Sequence, residues 1–562
     1  MPKLWTTLPG YRRRDFFSDL IAGVTVGLVA LPMAMAFGIA SGVTPQAGIY
    51  TAIVGGFLVS FLGGSKVQIG GPTGAFVVIV AGILAKQGLS GLFMVTMMAG
   101  VMLLFLGFTG LGAAVRFIPR PIVIGFTNGI ALLIASTQIK DFLGLRMSEN
   151  PSEFFARMKV IAAYIGTINM AAVLLGLGSL AVIVFLPKMF PRVPGSIVAL
   201  LAATAVAAVF RLPVETIGSK FGGISRALPP IHIPEFRTDL ILPLLPSALT
   251  VAILAALESL LSAVVADSMS GDRHNSNAEL VAQGFANIAS PLFGGIPVTG
   301  AIARTATNVR SGAKTPVAGM IHALALLGVV LVFAPLAKFI PMATLAAVLF
   351  VVAYNMGEWR EIGSIVRLGS ADRSVWFITF ALTVMADLTV AVEVGMALAA
   401  LLYIYRVAQT TTVGVLTAAD VEDARPHQLQ GQDLPPYVTI LRIHGPFLFG
   451  ATEKLLEETA DLSKFTPIVI LRLRHMTAID ATGLHGLEIL SDRLKKSGRT
   501  LLLCGARHQP AKMLKRADFI EHIGEHNILP HAQAALQRAR EIQEGFNGLG
   551  EEFAHDLGKA PL

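Results

Sequence analysis

The sequence predicts an α-helical membrane protein with fourteen transmembrane segments in a seven-plus-seven arrangement, followed by a small α/β domain. Three observations predict it. The 562 residues are 54% hydrophobic and 14% charged, with a mean hydropathy of +0.68. Apolar runs follow one another from residue 19 to residue 406, separated by loops. After Arg406 the composition changes abruptly. A soluble domain carries about 25% charged residues, and a chain with roughly half that share cannot cover a surface facing water, so most of it lies in lipid. The 55 glycines and 30 prolines fit this class because they are interleaved with aliphatic residues, as in transmembrane bundles, where Gly allows close helix contact and neighbours re-satisfy the backbone around Pro.

The N-terminal stretch 1–18 is polar and opens with Lys3 and Arg12–Arg13–Arg14. It reads as a cytoplasmic segment before a retained first helix rather than a cleaved leader. The transporter-like region is 19–408, with repeats at about 19–212 and 240–406. An even number of spans puts both termini on one side. Arg120, Lys188, Arg310, Lys314, Arg360 and Arg406 fall in loops on that same side, which the positive-inside rule makes cytoplasmic. The same lysines and arginines account for the net charge of +8. No basic stripe with interleaved aromatics occurs, so a nucleic-acid partner is not expected.

Two segments depart from plain spanning helices. The third begins Gly70-Gly71-Pro72-Thr73-Gly74-Ala75 and the tenth begins Gly294-Gly295-Ile296-Pro297-Val298-Thr299-Gly300-Ala301. Each stands third in its set of seven. Gly/Pro-interrupted segments at matching positions in two halves point to an inverted-repeat transporter with its site between them. A helix that starts in mid-membrane leaves its first N–H groups unpaired and carries partial positive charge there. Two such ends form an anion site without a charged side chain. The expected anion-binding residues are therefore Thr73, Gly74, Ala75 and Phe76 with Thr299, Gly300, Ala301 and Arg304: hydroxyl donors, open backbone, apolar walls from Phe76 and Ile302, and one cation to balance a bound anion or Glu258. Glu258 lies in mid-segment with Ser262 one turn on. An ionised carboxylate at that depth costs roughly 2.5–3.5 kcal/mol, which makes Glu258 and Ser262 the expected coupling-ion site, the ion being a proton.

Residues 409–436 read as a polar linker with Pro426, Pro435 and Pro436. Strands at 438–443, 467–473 and 500–504 alternate with helices at about 451–463, 483–496, 509–516 and 531–544, which gives an α/β domain over 437–545 and a tail over 546–562. Thr482 follows Asp480 on the first turn of a helix, where an N-cap is the plain reading and a phosphate would be tolerated electrostatically. The single cysteine, Cys504, excludes an intramolecular disulfide and a cysteine metal cluster. No metal-ligand spacing and no nucleophile–base pair appears, so neither an enzyme nor a cofactor is expected.

These features resemble the sulfate permease (SulP) family over nearly the whole chain. The resemblance rests on Asp19 through Gly27, Leu31-Pro32, Ala40-Ser41-Gly42-Val43, Gly63-Gly64-Ser65, Gly71-Pro72-Thr73, Glu258 through Leu261, and Gly294-Gly295 through Arg304. The tail is similar to the sulfate-transporter and anti-sigma-antagonist (STAS) domain. The resemblance implies core and gate domains, an elevator movement, a homodimer, a small anion as substrate, and a cytoplasmic protein partner at the STAS domain. Thr137 through Gly144 and Gly271 through Asn277 look closest to a bacterial branch that includes a C4-dicarboxylate transporter, which implies a bacterial inner membrane. Where cation-coupled bicarbonate members have aspartate this chain has Glu258, which favours a proton over sodium. Where many sulfate carriers have Pro-Gln it has Pro32-Met33, and Thr482 stands where anti-sigma antagonists have a phosphorylated serine. Two readings compete with an anion transporter. One is a nucleobase transporter of the same architecture, which lacks a domain like 437–545; the other is a non-transporting membrane scaffold or sensor.

Overall fold

A backbone in lipid must satisfy its polar groups internally, and long apolar runs do so as helices. The computed structural model describes residues 1–112, 119–147, 151, 153–190, 193–226, 231, 233, 234, 237–367, 369–386, 388–416 and 434–557. The chain divides into two units, Met1–Ala399 and Ala400–Leu562. Residues 417–433 of the expected linker and 558–562 of the expected tail lie outside the described residues.

In the first unit the helices are α1 (Arg13–Ala40), α2 (Pro45–Leu62, with a π turn inside), α3 (Gly74–Phe108), α4 (Arg120–Leu143), α5 (Phe154–Ala163), α6 (Met170–Met189), α7 (Gly195–Val209), α8 (Ile241–Ser270), α9 (Ser276–Leu292), α10 (Ile302–Arg310), α11 (Val317–Ala337), α12 (Met342–Met356), α13 (Trp359–Val366), α14 (Ser370–Met385) and α15 (Leu388–Thr410), which runs past the unit boundary. The expected third and fourth segments are the two arms of α3, broken where Gly88 takes φ 66°. Eight described stretches are long and apolar enough to cross a membrane by length and composition, whereas α7, α9, α10 and α14 are 15, 17, 9 and 16 residues long. Among the described residues, helix length and composition alone do not establish the expected fourteen crossings.

The helices form two packed sets. In one, α3 packs on α8 and α9, α11 on α1 and α2, α2 on α9, and α8 on α10. In the other, α4 packs on α12 and α14, and α6 on α7 and α12. Small residues bring these helices close, as at Gly23 and Gly27 of α1, where an added Cβ would meet the α11 backbone at Ala318 and His322. The two glycine-rich lead-ins, one before α3 and one before α10, are extended. Strand β1 (Gly70–Gly71) pairs antiparallel with β2 (Thr299–Gly300), with Gly70 opposite Gly300 and Gly71 opposite Thr299.

The second unit is an α/β domain. Its strands are β3 (Thr412–Leu416), β4 (Val438–Phe447), β5 (Ile468–Arg472), β6 (Met476–Ile479), β7 (Thr500–Cys504) and β8 (Ile528–Leu529), in the order β3-β4-β5-β7-β8 with β6 also on β4. Its helices are α16 (Thr452–Glu458), α17 (Ala481–Lys496), α18 (His508–Arg516), α19 (Phe519–Ile523) and α20 (Ala532–Leu557). Leu441, Leu471 and Leu503 face Leu484, Leu487 and Leu490 of α17, while Ile440, Ile470 and Leu502 face Ala535, Leu536 and Ala539 of α20. This is the period-2 alternation of strands covered on both faces. The expected linker differs: 412–416 is an edge strand, because Val413 and Val415 pack on the α17 side. The last helix also runs through 546 to Leu557.

Candidate functional site

The irregular segments at the centre of the first unit are held by side chains, as non-helical backbone at membrane depth requires. Before β2, Asn287 accepts from Val298 N and donates to Val298 O (2.9 and 2.8 Å), Ser290 donates to Ile296 O (2.7 Å), and Thr51 accepts from Ile296 N (2.8 Å). Before β1, Gln68 donates to Ser259 O (3.1 Å), Thr305 accepts from Ile69 N (3.0 Å), and Asn308 donates to Val67 O (2.9 Å). Each half of the chain therefore fixes the other's lead-in. Gly71 has φ 148°, a conformation L side chains rarely adopt.

The pairing of β1 with β2 brings the expected residues of both lead-ins together. Thr73 is the N-cap residue of α3 and Ala301 that of α10, and no side chain caps either helix. Thr73 keeps its hydroxyl for Glu258, donating to Oε2 at 2.7 Å. Gly74 faces the second helix set: an added Cβ would lie 2.5 Å from Met356 Sδ and 3.1 Å from Ile134. Ala75 and Phe76 are both fully buried. Phe76 is thus sealed in the core rather than lining a wall, and Ile302 is 41% exposed. On the β2 side, Thr299 donates to Ala255 O (3.0 Å), and Ser259 Oγ lies 3.0 Å from Thr299 Oγ1 and accepts from Gly300 N (2.9 Å). At Gly300 an added Cβ would come within 1.9 Å of Gln68 Nε2.

Arg304 is 2% exposed. Its Nη2 donates to the Pro72 carbonyl across the β1–β2 pair, and Nη1 is buried without a partner among the described residues. The guanidinium reaches the Pro72 carbonyl, and the hydrogen-bond partner of the Glu258 carboxylate is Thr73. Glu258 itself is half-buried. Ser262, one turn on, is fully buried and lies 3.0 Å from Thr305 Oγ1. An apolar pocket lined by Ile122, Val123, Phe126, Ile253, Leu254, Leu257 and Met396 starts one residue from Glu258.

Sequence reasoning missed three buried groups. Glu279 is fully buried; it accepts from Gly64 N (2.9 Å) and from Gln283 (3.1 Å), and so anchors the loop that leads into β1. Asp19 is fully buried and accepts from Lys314 N (2.7 Å), Thr315 N (3.2 Å) and Thr315 Oγ1 (2.5 Å) just beyond α10. His322 of α11 is fully buried with neither ring nitrogen bonded among the described residues. In the second unit, the cap of α17 is Asp480, which accepts from Gly483 N at 2.7 Å. Thr482 is exposed on the turn that follows and does not serve as the N-cap.

Comparisons with known proteins agree with this architecture. The chain matches the sulfate permease family over residues 16–379 and the STAS domain over residues 432–535. A Bacillus subtilis protein, YvdB, whose name assigns it provisionally to sulfate transport, is 42% identical over 93% of this chain and 97% of its own length. The bicarbonate transporter BicA of Picosynechococcus sp. is 30% identical over 94% of this chain and 95% of its own. The solved transmembrane domain of a cyanobacterial BicA superposes with a TM-score of 0.63 at 33% identity, covering 68% of this chain and 98% of that one. Murine Slc26a9, an anion transporter solved in its inward-facing state, shares the fold with a TM-score of 0.86 at 20% identity, over 96% and 94% of the two chains. The chain belongs to the sulfate permease family and carries a STAS domain towards its C-terminal end.

Proposed function

We propose that this protein is a secondary transporter of small anions, of the sulfate, bicarbonate and dicarboxylate class, that binds its substrate between the starts of α3 and α10 and couples it to a proton at Glu258. The observation that supports the reading is the pairing of β1 with β2, which brings together the starts of α3 and α10, neither capped by a side chain, and the buried Arg304, whose Nη1 has no partner among the described residues. Helix N-termini attract anions by about 0.3–1 kcal/mol each at an exposed surface and up to about 2 kcal/mol where partly buried. A guanidinium adds a charge-assisted donor. The names of the sulfate and bicarbonate relatives support the substrate class.

The proton role of Glu258 rests on charge. A bound anion and an ionised carboxylate repel at close range in low dielectric, and protonation removes one of the two charges. Thr73 ties that carboxyl to the start of α3. The two helix sets would serve as core and gate, and the anion would move with the core as an elevator. Fourteen crossings, cytoplasmic termini, a bacterial inner membrane, a homodimer and a protein partner at the STAS domain complete the reading, with the domain borders expected from the sequence moved to include β3. The experiment is uptake of radiolabelled sulfate, bicarbonate, succinate and fumarate into proteoliposomes, with and without a pH gradient. Saturable uptake of at least one anion, lost in Gly300→Val, is expected. Uptake of none of them by folded protein would refute the reading and favour a scaffold.

A further inference from the structure

Helix α12 stops at Met356, and three side chains hold the stop in place. A helix end leaves its last carbonyls without partners inside the helix. Here Asn128 of α4, fully buried, donates its amide to the Gly357 carbonyl and accepts from Trp376 Nε1 of α14 at 3.0 Å. Trp359 Nε1 donates to the Tyr354 carbonyl at 2.8 Å. Its indole lies against Gly357, where an added Cβ would run into the ring. Glu358 follows with φ 40°, a left-handed conformation in a residue that carries a side chain. Such strain persists only where the surroundings over-determine it, and it gathers at functional sites.

What this turn presents is the Met356 thioether. A Cβ added to Gly74 would meet Met356 Sδ at 2.5 Å, Ile134 Cδ1 at 3.1 Å and Met356 Cε at 3.4 Å. Gly74 is the first residue of α3, directly after Thr73, whose hydroxyl bonds Glu258. The thioether therefore lies against the helix start at which the anion is placed. The pocket that begins at Leu257, beside Glu258, is apolar as well. A single charged centre can be met by the N–H groups that open α3 and α10 and by Arg304. A second carboxylate several bonds away would be pressed against sulfur and hydrocarbon, where an unpaired charge is costly.

We propose that Met356 sets the length limit of the anion site, and that Asn128 and Trp376 are positioning residues that keep it there. The proposal rests on the anion site described above and deepens it. A compact oxyanion fits between the start of α3 and the thioether, whereas a four-carbon dicarboxylate meets the thioether with its far carboxylate. A methionine side chain is unbranched and adapts readily to what it touches. It can act as a stop only if its backbone is fixed, and the bonds from Asn128 and Trp359 to the end of α12 fix it.

The test uses the full-length protein in proteoliposomes at one fixed pH. Initial rates give kcat/KM for two compact anions, sulfate and bicarbonate, and for two long ones, succinate and fumarate. Native protein should prefer the better compact anion to the better long one. Met356→Ala should shift that ratio towards the long anion by at least about tenfold, the low end of what one methylene discriminates in an apolar pocket. Met356→Leu, which conserves volume, should keep the native ratio. Asn128→Ala frees the turn and should move the ratio in the same direction as Met356→Ala, with folding read separately from the thermal midpoint. An unchanged ratio in folded Met356→Ala, or a native protein that prefers the long anion, would overturn the length limit and leave anion transport standing. Uptake of none of the four by folded native protein would overturn the transport reading and this proposal with it.

Discussion

Gly71→Ala tests whether the paired strands β1 and β2 form the anion site. Two effects meet there. The native φ of 148° is one that L side chains rarely adopt, and backbone strain of this kind costs about 1–3 kcal/mol. The new Cβ would also lie 2.6 Å from Arg304 Nη1 and 3.4 Å from the Ala52 backbone, so the guanidinium must move. At about 1.4 kcal/mol per factor of ten, strain expressed at the site weakens anion binding about 5- to 150-fold. Gly294→Ala is the control. Its φ is 70° and an added Cβ meets nothing within 4 Å, so it incurs about 1–2 kcal/mol of left-handed strain without touching Arg304. Initial-rate uptake in proteoliposomes and thermal unfolding in detergent separate the two. The expected result is a raised KM for Gly71→Ala and, for Gly294→Ala, a lowered Tm with a native KM. A native KM for Gly71→Ala in folded protein would refute the placement of the anion at Arg304 and β1.

Other outcomes follow from the same geometry. Glu279→Ala leaves Gly64 N and the Gln283 amide unpaired in a buried site; at about 1–3 kcal/mol for each such group, it should lower the thermal midpoint strongly, and Glu279→Gln should lower it less. Truncation after about residue 430 should leave a protein that still inserts, read by membrane fractionation, since the helices of the first unit end before that point. Burial pushes the Cys504 thiol up to about 11 from 9.0, with Arg472 acting the other way. Roughly one thiol in a thousand is then ionised at pH 8, so maleimide should label Cys504 slowly in native protein and quickly in denaturant. Because folding favours the thiol, its contribution to stability is full below about pH 9 and is lost as pH rises through about 11.

The two interrupted segments were legible because Gly-Pro-Thr-Gly-Ala and Pro-Val-Thr-Gly-Ala recur at matching places, and lipid forces such breaks to have a reason. What they do on meeting was not legible. The β1–β2 ladder involves two residues from each strand, too few for a periodic signal. Glu279 sits in the first turn of α9, where an acid is ordinary helix chemistry, and only the fold brings Gly64 to it. Asp19 begins an apolar run and looks like a boundary charge until its partners at 314 and 315 appear. In the second unit, the strands with at least four apolar residues, β4, β5 and β7, were readable, while β6 and β8 have four and two residues in all. The strand β3 alternates too briefly within a polar stretch to be told from linker. The pairing of Arg442 with Arg472 is likewise a product of register, since they are 30 residues apart in sequence and meet as neighbours across β4 and β5.

Whether substrate and proton cross together through Glu258 is tested most directly by Glu258→Gln. The amide keeps the shape, can still accept from the Thr73 hydroxyl, and carries no charge at any pH. Under an inside-alkaline gradient, native protein should concentrate its anion. Glu258→Gln should exchange labelled for unlabelled anion across the membrane, yet fail to concentrate it. If Glu258→Gln accumulates the anion as native protein does under the same gradient, the coupling group lies elsewhere and Glu258 is a structural carboxylate.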